Sequence, residues 1–314
     1  MSSDSKKFHY KCAHDMRVEN PLHIRLVQMW DAVRDETQGR LEMEMLPWGS
    51  GGPSKECLDK LLDGRIEFHP ISGMPLSIIV PVAAMEGLPF AYESEEEACR
   101  VLDGPLGDYL RREIAATGLK VFLRNWPQGF NQITSSKGPI RNVDDLQGFK
   151  LRTAQVPYKK DLFSSLGCDT QPIFYQAVFD NLKNGTAWGQ ETPYLYVEMD
   201  KFVEVQTHLS ITNHRLGSFW LCANSEAWKA LPPDIQASIE RNAEKYVKLF
   251  RKDMVKENAA AAERLKSRLI FNQADTATFI ARLKQSGFYG RRRKEYGETA
   301  WKLLEEGLGR PYPM

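Results

Sequence analysis

Three stretches near the N-terminus decide the fold class: Phe8-His9-Tyr10-Lys11-Cys12-Ala13, the run from Pro21 to Val33, and Leu41-Glu42-Met43-Glu44-Met45. The first and third alternate apolar with polar residues, as half-buried strands do. Between them, Leu22, Leu26, Met29, Trp30 and Val33 fall on one stripe of a helix that opens at Pro21, where a fixed φ is tolerated. Gly39 lies just past its end. The turn from Pro47 to Pro53 leads to Ser54, a predicted cap for a helix carrying Leu58, Leu61 and Leu62. A third strand is predicted over 65–72. This βαβαβ order specifies an α/β domain with a parallel sheet.

Working outward, 314 residues favour two domains over one. Lys plus Arg number 42 and Asp plus Glu 41, so the net charge is +1. That balance argues against a protein built around a basic nucleic-acid face. The longest apolar run, from Ser77 to Met85, is far short of the roughly 20 residues a spanning helix needs. Met1-Ser2-Ser3-Asp4-Ser5-Lys6-Lys7 has no apolar region after its charges, which implies a cytoplasmic protein or one whose leader is absent or replaced. The five cysteines, Cys12, Cys57, Cys99, Cys168 and Cys222, form no CxxC and read as buried free thiols.

Further strands are predicted at 120–124, 149–152 and 218–223, and helices at 158–166 and 176–183, stopped by Gly167 and Gly185. After Pro232-Pro233, Ile235, Ile239, Tyr246, Phe250, Met254, Ala261, Leu265 and Leu269 recur at helical spacing with no Gly or Pro between them. Such a helix is about 50 Å long, longer than one domain of this size is wide, so it should brace both. Gly49-Ser50-Gly51-Gly52 lacks the spacing of a phosphate loop and reads as a turn. His9, Cys12 and His14 fall on opposite faces of one strand and make no metal set. Arg291-Arg292-Arg293-Lys294 reads as a solvated helix face.

The stretch from 125 to 214 carries the chemistry. Arg152 closes the strand Gly148-Phe149-Lys150-Leu151-Arg152, where open α/β sheets bind ligands, and its planar fork suits a carboxylate. An ion pair on the surface or between domains is the competing role. Gly189-Gln190-Glu191-Thr192-Pro193 clusters polar groups, and Trp126, Phe130, Tyr158, Tyr175, Trp188, Phe219 and Trp220 lie around these points, as in an aromatic-walled small-molecule cleft. Several of these aromatics should be ordinary core.

The order of segments resembles the solute-binding proteins of TRAP (tripartite ATP-independent periplasmic) transporters. The resemblance rests on Ala13-His14, Thr37-Gln38-Gly39-Arg40, Gly87-Leu88-Pro89-Phe90, the block from Asp144 to Arg152, Gly189-Gln190-Glu191, the segment from Lys201 to Gln206, the segment from Leu209 to His214, and Trp228-Lys229-Ala230-Leu231-Pro232-Pro233. It implies a two-lobed Venus-flytrap α/β protein with a long helix spanning both lobes. Lobe I would comprise 1–129 and 217–252, lobe II 130–216 and 253–290, with 291–314 packing on both. The chain should cross between lobes near 128–130 and 213–218.

The resemblance further implies a monomeric periplasmic receptor that captures an organic carboxylate and delivers it to a membrane permease, without catalysis, cofactor or metal. Its ligand-binding set would be Arg152, which holds the carboxylate, with Tyr175, Thr192, Gln190, Asn131, Trp126, His14 and Asn213. Many members carry a second arginine where this chain has Asn131, and asparagine where it has Thr192; Trp188 stands where the family is often acidic. One fixed cation favours a monocarboxylate with an apolar, aromatic or hydroxylated body. Arg17 and Arg124 are the candidates to hold a second acid group. The rival readings are an enzyme that anchors a carboxylate on Arg152 and uses Glu191 or His214 as acid–base, and a ligand sensor for a regulatory system.

Overall fold

A computed structural model describes residues 6–312. In chain order its strands are β1 (Phe8–Ala13), β2 (Leu41–Leu46), β3 (Phe68–Ile71), β4 (Leu119–Phe130), β5 (Gln132–Ser135), β6 (Lys150–Thr153), β7 (Asp169–Pro172), β8 (Gly189–Thr192), β9 (His208–Ile211), β10 (Leu216–Asn224) and β11 (Ile270–Gln273). They form two sheets, ordered β2-β1-β3-β10-β4 and β11-β9-β5-β8-β6-β7.

The βαβαβ reading describes the start of the first sheet. β1 runs parallel to β2 and β3, and helices Pro21–Glu36 and Ser54–Leu62 make the crossovers. The stripe Leu22, Leu26, Met29, Trp30 and Val33 is buried, with Trp30 edge-on to Phe68 of β3 at 4.7 Å. Each such side chain contributes roughly 1.5–3 kcal/mol. The Asn20 side chain caps the first helix by accepting the Leu22 N–H at 2.8 Å. At the second, the cap position falls on Pro53 and the helix begins at Ser54, one residue earlier than a Ser54 cap requires. β10 enters from a distant part of the chain and lies antiparallel to both β3 and β4, so the sheet is mixed.

The chain passes between sheets three times, the last by way of residues 225–269 between β10 and β11. β4 belongs to the first sheet and β5 to the second, and the passage occurs at Asn131. The return runs from β9 to β10 through residues 212–215. The first two passages are tied by the Asn131 N–H donating to the Arg215 carbonyl at 2.8 Å. Gly129 sits at the first with φ +106°, and a Cβ there would lie 2.6 Å from Asn258 Nδ2 of the long helix, so only glycine fits both the backbone and the space.

That helix spans Pro233–Leu265 and ends short of Leu269. It packs on helix Pro21–Glu36, on β4, and on helix Tyr194–Met199, which follows β8 of the second sheet. Asn258 touches both sides: its Oδ1 accepts the Leu195 N–H at 3.1 Å and its Nδ2 donates to Gln128 O at 2.8 Å. Helices Thr276–Gln285, Phe288–Tyr296 and Glu298–Leu308 finish the chain. Phe279, Leu283 and Phe288 share a core with Leu146 and Leu151 beside the second sheet, and Trp301, Leu304 and Leu308 join the same core.

Candidate functional site

A cavity of about 200 Å³ lies between the two sheets. Its walls come from the carboxyl ends of parallel strands: Asp15 and Met16 after β1, Ser72 and Met74 after β3, Arg152 and Ala154 at β6, Ile173 and Tyr175 after β7, and Glu191 and Thr192 of β8. Open α/β sheets bind ligands at these ends, where backbone groups and loops face outward. Gln128 and Phe219 of the crossing strands, and Asn131 and Arg215 of the passages between sheets, also line it, with Lys159 from helix Pro157–Ser165.

Arg152 is 6% exposed. Its Nε and Nη2 both donate to the Ile173 carbonyl, at 3.0 and 2.8 Å, and it forms no ion pair among the described residues. Its guanidinium lies 5.5 Å from the centre of the Tyr175 ring. Beside it, Lys159, 2% exposed, is ion-paired with Glu191 Oε1, while Glu191 Oε2 receives Asn131 Nδ2 and lies 3.3 Å from His214 Nε2. Arg215, 8% exposed, completes three buried cations in one cleft.

The titration behaviour reports the resulting field. Burial, then the Arg215 charge, pulls the Lys159 ammonium down to about 7 against the attraction of Glu191. Burial pushes the Glu191 carboxyl up, but Lys159, the His214 hydrogen bond and Arg215 outweigh it and hold it well below the usual range. Glu191 shifts downward because its neighbours are cationic, and Lys159 shifts downward first because it is buried and then because Arg215 and Arg152 repel its charge. Such a pocket attracts an anion.

Of the eight residues singled out from the sequence, Arg152, Tyr175, Thr192 and Asn131 line the cavity. The other four lie outside it. Trp126 packs at 5.2 Å on Phe250 of the long helix, and its register partner Phe219 reaches the cavity instead. Strand alternation turns Gln190 away from the cleft toward Thr134, leaving the cleft side to Glu191. His14 meets His23 at 3.0 Å, and burial with the neighbouring His23 and His69 keeps it neutral, its pKa depressed to about 3. Asn213 is exposed on the return passage, accepting from Gln132 Nε2 at 2.6 Å.

Neither candidate for a second acid group is available. Arg17 is paired with Asp200 at 2.8 Å, and Arg124 with Asp103 and Glu244 at 2.7 Å each. The expectation of a single fixed cation is corrected by Lys159 and Arg215, which no motif marks; both are brought in by tertiary packing. Trp188 lies outside the cavity, edge-on to Phe149 at 5.8 Å. The acid–base candidates Glu191 and His214 contact each other and are both buried, with Glu191 held as the anion of an ion pair.

Comparison with known proteins agrees with this geometry. The family profile described as bacterial extracellular solute-binding protein, family 7, matches residues 12–286. The chain is 27% identical over 244 residues to the 2,3-diketo-L-gulonate-binding periplasmic protein YiaO of Escherichia coli K12, covering 78% of this chain and 73% of that one. The sugar acid binding protein DctPAm of Advenella mimigardefordensis, solved in complex with galactonate, superposes with a TM-score of 0.91 at 25% identity, covering 97% of this chain and 98% of that one. A TRAP periplasmic solute binding protein of Roseobacter denitrificans OCh 114 with bound L-galactonate gives 0.87 at 25% identity, over 96% and 99%. The chain belongs to bacterial extracellular solute-binding protein family 7, the two-lobed substrate-binding proteins of TRAP transporters, which are not enzymes.

Proposed function

We propose that this protein is a periplasmic receptor, working as a monomer, that captures a hydroxylated monocarboxylic acid between its two lobes and delivers it to a TRAP permease. Arg152 grips the carboxylate, Tyr175 covers it, and Thr192 and Asn131 offer neutral hydrogen bonds to the body of the ligand. The lobes divide as the resemblance implies, one around each sheet. The observation that carries this reading is Arg152 itself: a buried guanidinium at a strand end, lining a cavity, whose hydrogen bonds among the described residues go to one carbonyl and which has no carboxylate partner there. A buried charge left in that state is costly, and a ligand carboxylate removes the cost.

Lys159 is neutralised by Glu191, while neither Arg152 nor Arg215 has an ion pair among the described residues, so the cleft carries positive charge for a ligand carboxylate to neutralise. A hydroxylated body is supported by the relatives that carry galactonate or are named for diketogulonate. A thermal-shift screen of organic acids followed by calorimetry tests the reading. Arg152→Ala should cost roughly 3–5 kcal/mol, about two to three and a half decades of affinity. A loss under about threefold would show the arginine to be structural.

A further inference from the structure

Two histidines meet behind the wall that the first lobe gives the cleft. His14, just after β1, is buried, and His23, in the first turn of helix Pro21–Glu36, is half-buried. His14 Nε2 lies 3.0 Å from His23 Nδ1. The backbone fixes where the protons sit. The Met16 N–H, which only donates, points at His14 Nδ1 at 3.2 Å. Neutral His14 therefore carries its proton on Nε2 and donates it to His23 Nδ1.

A further proton has no place in this arrangement. On His14 Nδ1 it meets the Met16 N–H. On His23 Nδ1 it meets the His14 Nε2 proton, unless His14 moves that proton to Nδ1 and loses Met16 instead. Either way one hydrogen bond breaks. Glu19 favours a proton on His23, while burial opposes it. His69 of β3, which donates Nδ1–H to the Ala13 carbonyl at 2.6 Å and has the Asp15 charge nearby, opposes one on His14. With His14 and His23 both lowered from 6.5 by burial, the intact pair is neutral, and a broken pair gains protons as pH falls below that value. The segment it secures matters to the cleft. Asp15 and Met16 line the cavity, Met16 O receives the Trp48 N–H at 2.9 Å, and His14 O receives the Gly49 N–H at 3.3 Å. We propose that the His14–His23 pair is an acid-sensitive latch: a proton entering at the half-buried His23 releases residues 14–16 and the Trp48 turn, and so loosens the first-lobe wall of the cleft. The latch acts on that wall whichever acid the cleft takes.

Amide hydrogen exchange of the ligand-free protein, read by NMR between about pH 7.5 and about pH 5 and corrected for the intrinsic pH dependence of exchange, tests it. Protection of the Met16 and Trp48 amides should fall at least about fivefold over that range, the worth of one hydrogen bond. Amides inside the Pro233–Leu265 helix should keep theirs. His23→Gln retains an acceptor for His14 Nε2 and does not titrate, so its loss at Met16 should stay under about twofold. His14→Asn, whose Oδ1 can take the Met16 N–H, should flatten the profile in the same way and stands in if His23→Gln does not fold. Histidine 15N shifts at about pH 7.5 should show His14 protonated on Nε2 and bare on Nδ1. Burial also raises the Asp200 carboxyl, which pairs with Arg17, so acid can loosen this rim from the second lobe too. A loss of Met16 protection that persists in both variants would assign the effect to Asp200 and overturn the proposal. Constant protection in the unmodified protein, a fall shared equally by the long helix, or the opposite His14 tautomer would overturn it as well.

Discussion

Glu86 lies behind the cleft, fully buried, accepting the Gly73 N–H at 2.6 Å, Ser72 Oγ at 3.1 Å and Asn125 Nδ2 at 3.4 Å. Burial pushes its carboxyl from 4.5 up to about 7, against the Gly73 bond, the Arg215 charge and the hydroxyls of Ser72 and Ser218. Between those values the native protein keeps a proton that the unfolded chain has lost. Stability from this group is therefore complete below about pH 4.5 and is lost as pH rises through 7. Glu86→Gln cannot ionise, so its unfolding free energy should gain about 3 kcal/mol on the unmodified protein between pH about 4.5 and about 8. Urea unfolding of the two proteins across that range reads the difference; a constant gap would mean that Glu86 stays charged. Residues also differ in how far they could be read from sequence. Arg152 announces itself by closing a strand, a local property, whereas Lys159 and Arg215 sit in segments with no motif and become site residues only when helix and crossing strand converge.

The long helix was legible because its apolar spacing runs without Gly or Pro from Ile235 to Leu265. What it clamps was not. Asn258 reads as one more polar position, yet its amide bridges Gln128 of β4 and the start of helix Tyr194–Met199. Asn258→Ala leaves a buried carbonyl and a buried N–H unpaired and should cost about 2–4 kcal/mol, measurable by urea unfolding. A loss under about 0.5 kcal/mol would show that water replaces the amide. β4 hid a second feature. Gly217 pairs with Gly129 but Ser218 with Pro127, so Gln128 is an extra residue in the ladder, a bulge. Counting alternate positions across a bulge fails, because side-chain parity changes there. Gln128 lines the cavity while Trp126, singled out from the sequence, packs on the long helix.

Across the whole molecule, one group of contacts beside Tyr175 of the cleft joins the two lobes in addition to the long helix and the crossing strands. Arg17, after β1, pairs with Asp200 at 2.8 Å and lies 3.8 Å from the Trp48 ring centre. From the second lobe, the Tyr175 hydroxyl donates to the same Asp200 at 2.5 Å, and its ring meets Trp48 edge-on at 6.0 Å. Tyr175 also neighbours the Arg152 guanidinium, so these contacts between the lobes touch the proposed carboxylate anchor. Arg17→Ala should weaken every bound acid by a common factor of about three- to tenfold, mainly through faster dissociation, because Arg17 is partly exposed and its pairing is screened. Stopped-flow kinetics on two or more acids checks this. A change in the ranking of acids, with dissociation rates unaltered, would place Arg17 in ligand recognition instead of closure.

By itself the sequence determined the α/β class, the opening βαβαβ unit, the bracing helix and the strand-end arginine, since each depends on periodicity or position within about a dozen neighbouring residues. The resemblance in segment order added the family and two lobes. Only the tertiary structure decided the composition of the cleft. Its six charged walls, Asp15, Lys55, Arg152, Lys159, Glu191 and Arg215, come from segments scattered over some two hundred residues. Their mutual charge, burial and unpaired atoms depend on distances that no local pattern encodes. Asn131 shows the difference most plainly: in the sequence it is a missing cation, and in the folded chain its amide donates to the buried Glu191 carboxylate.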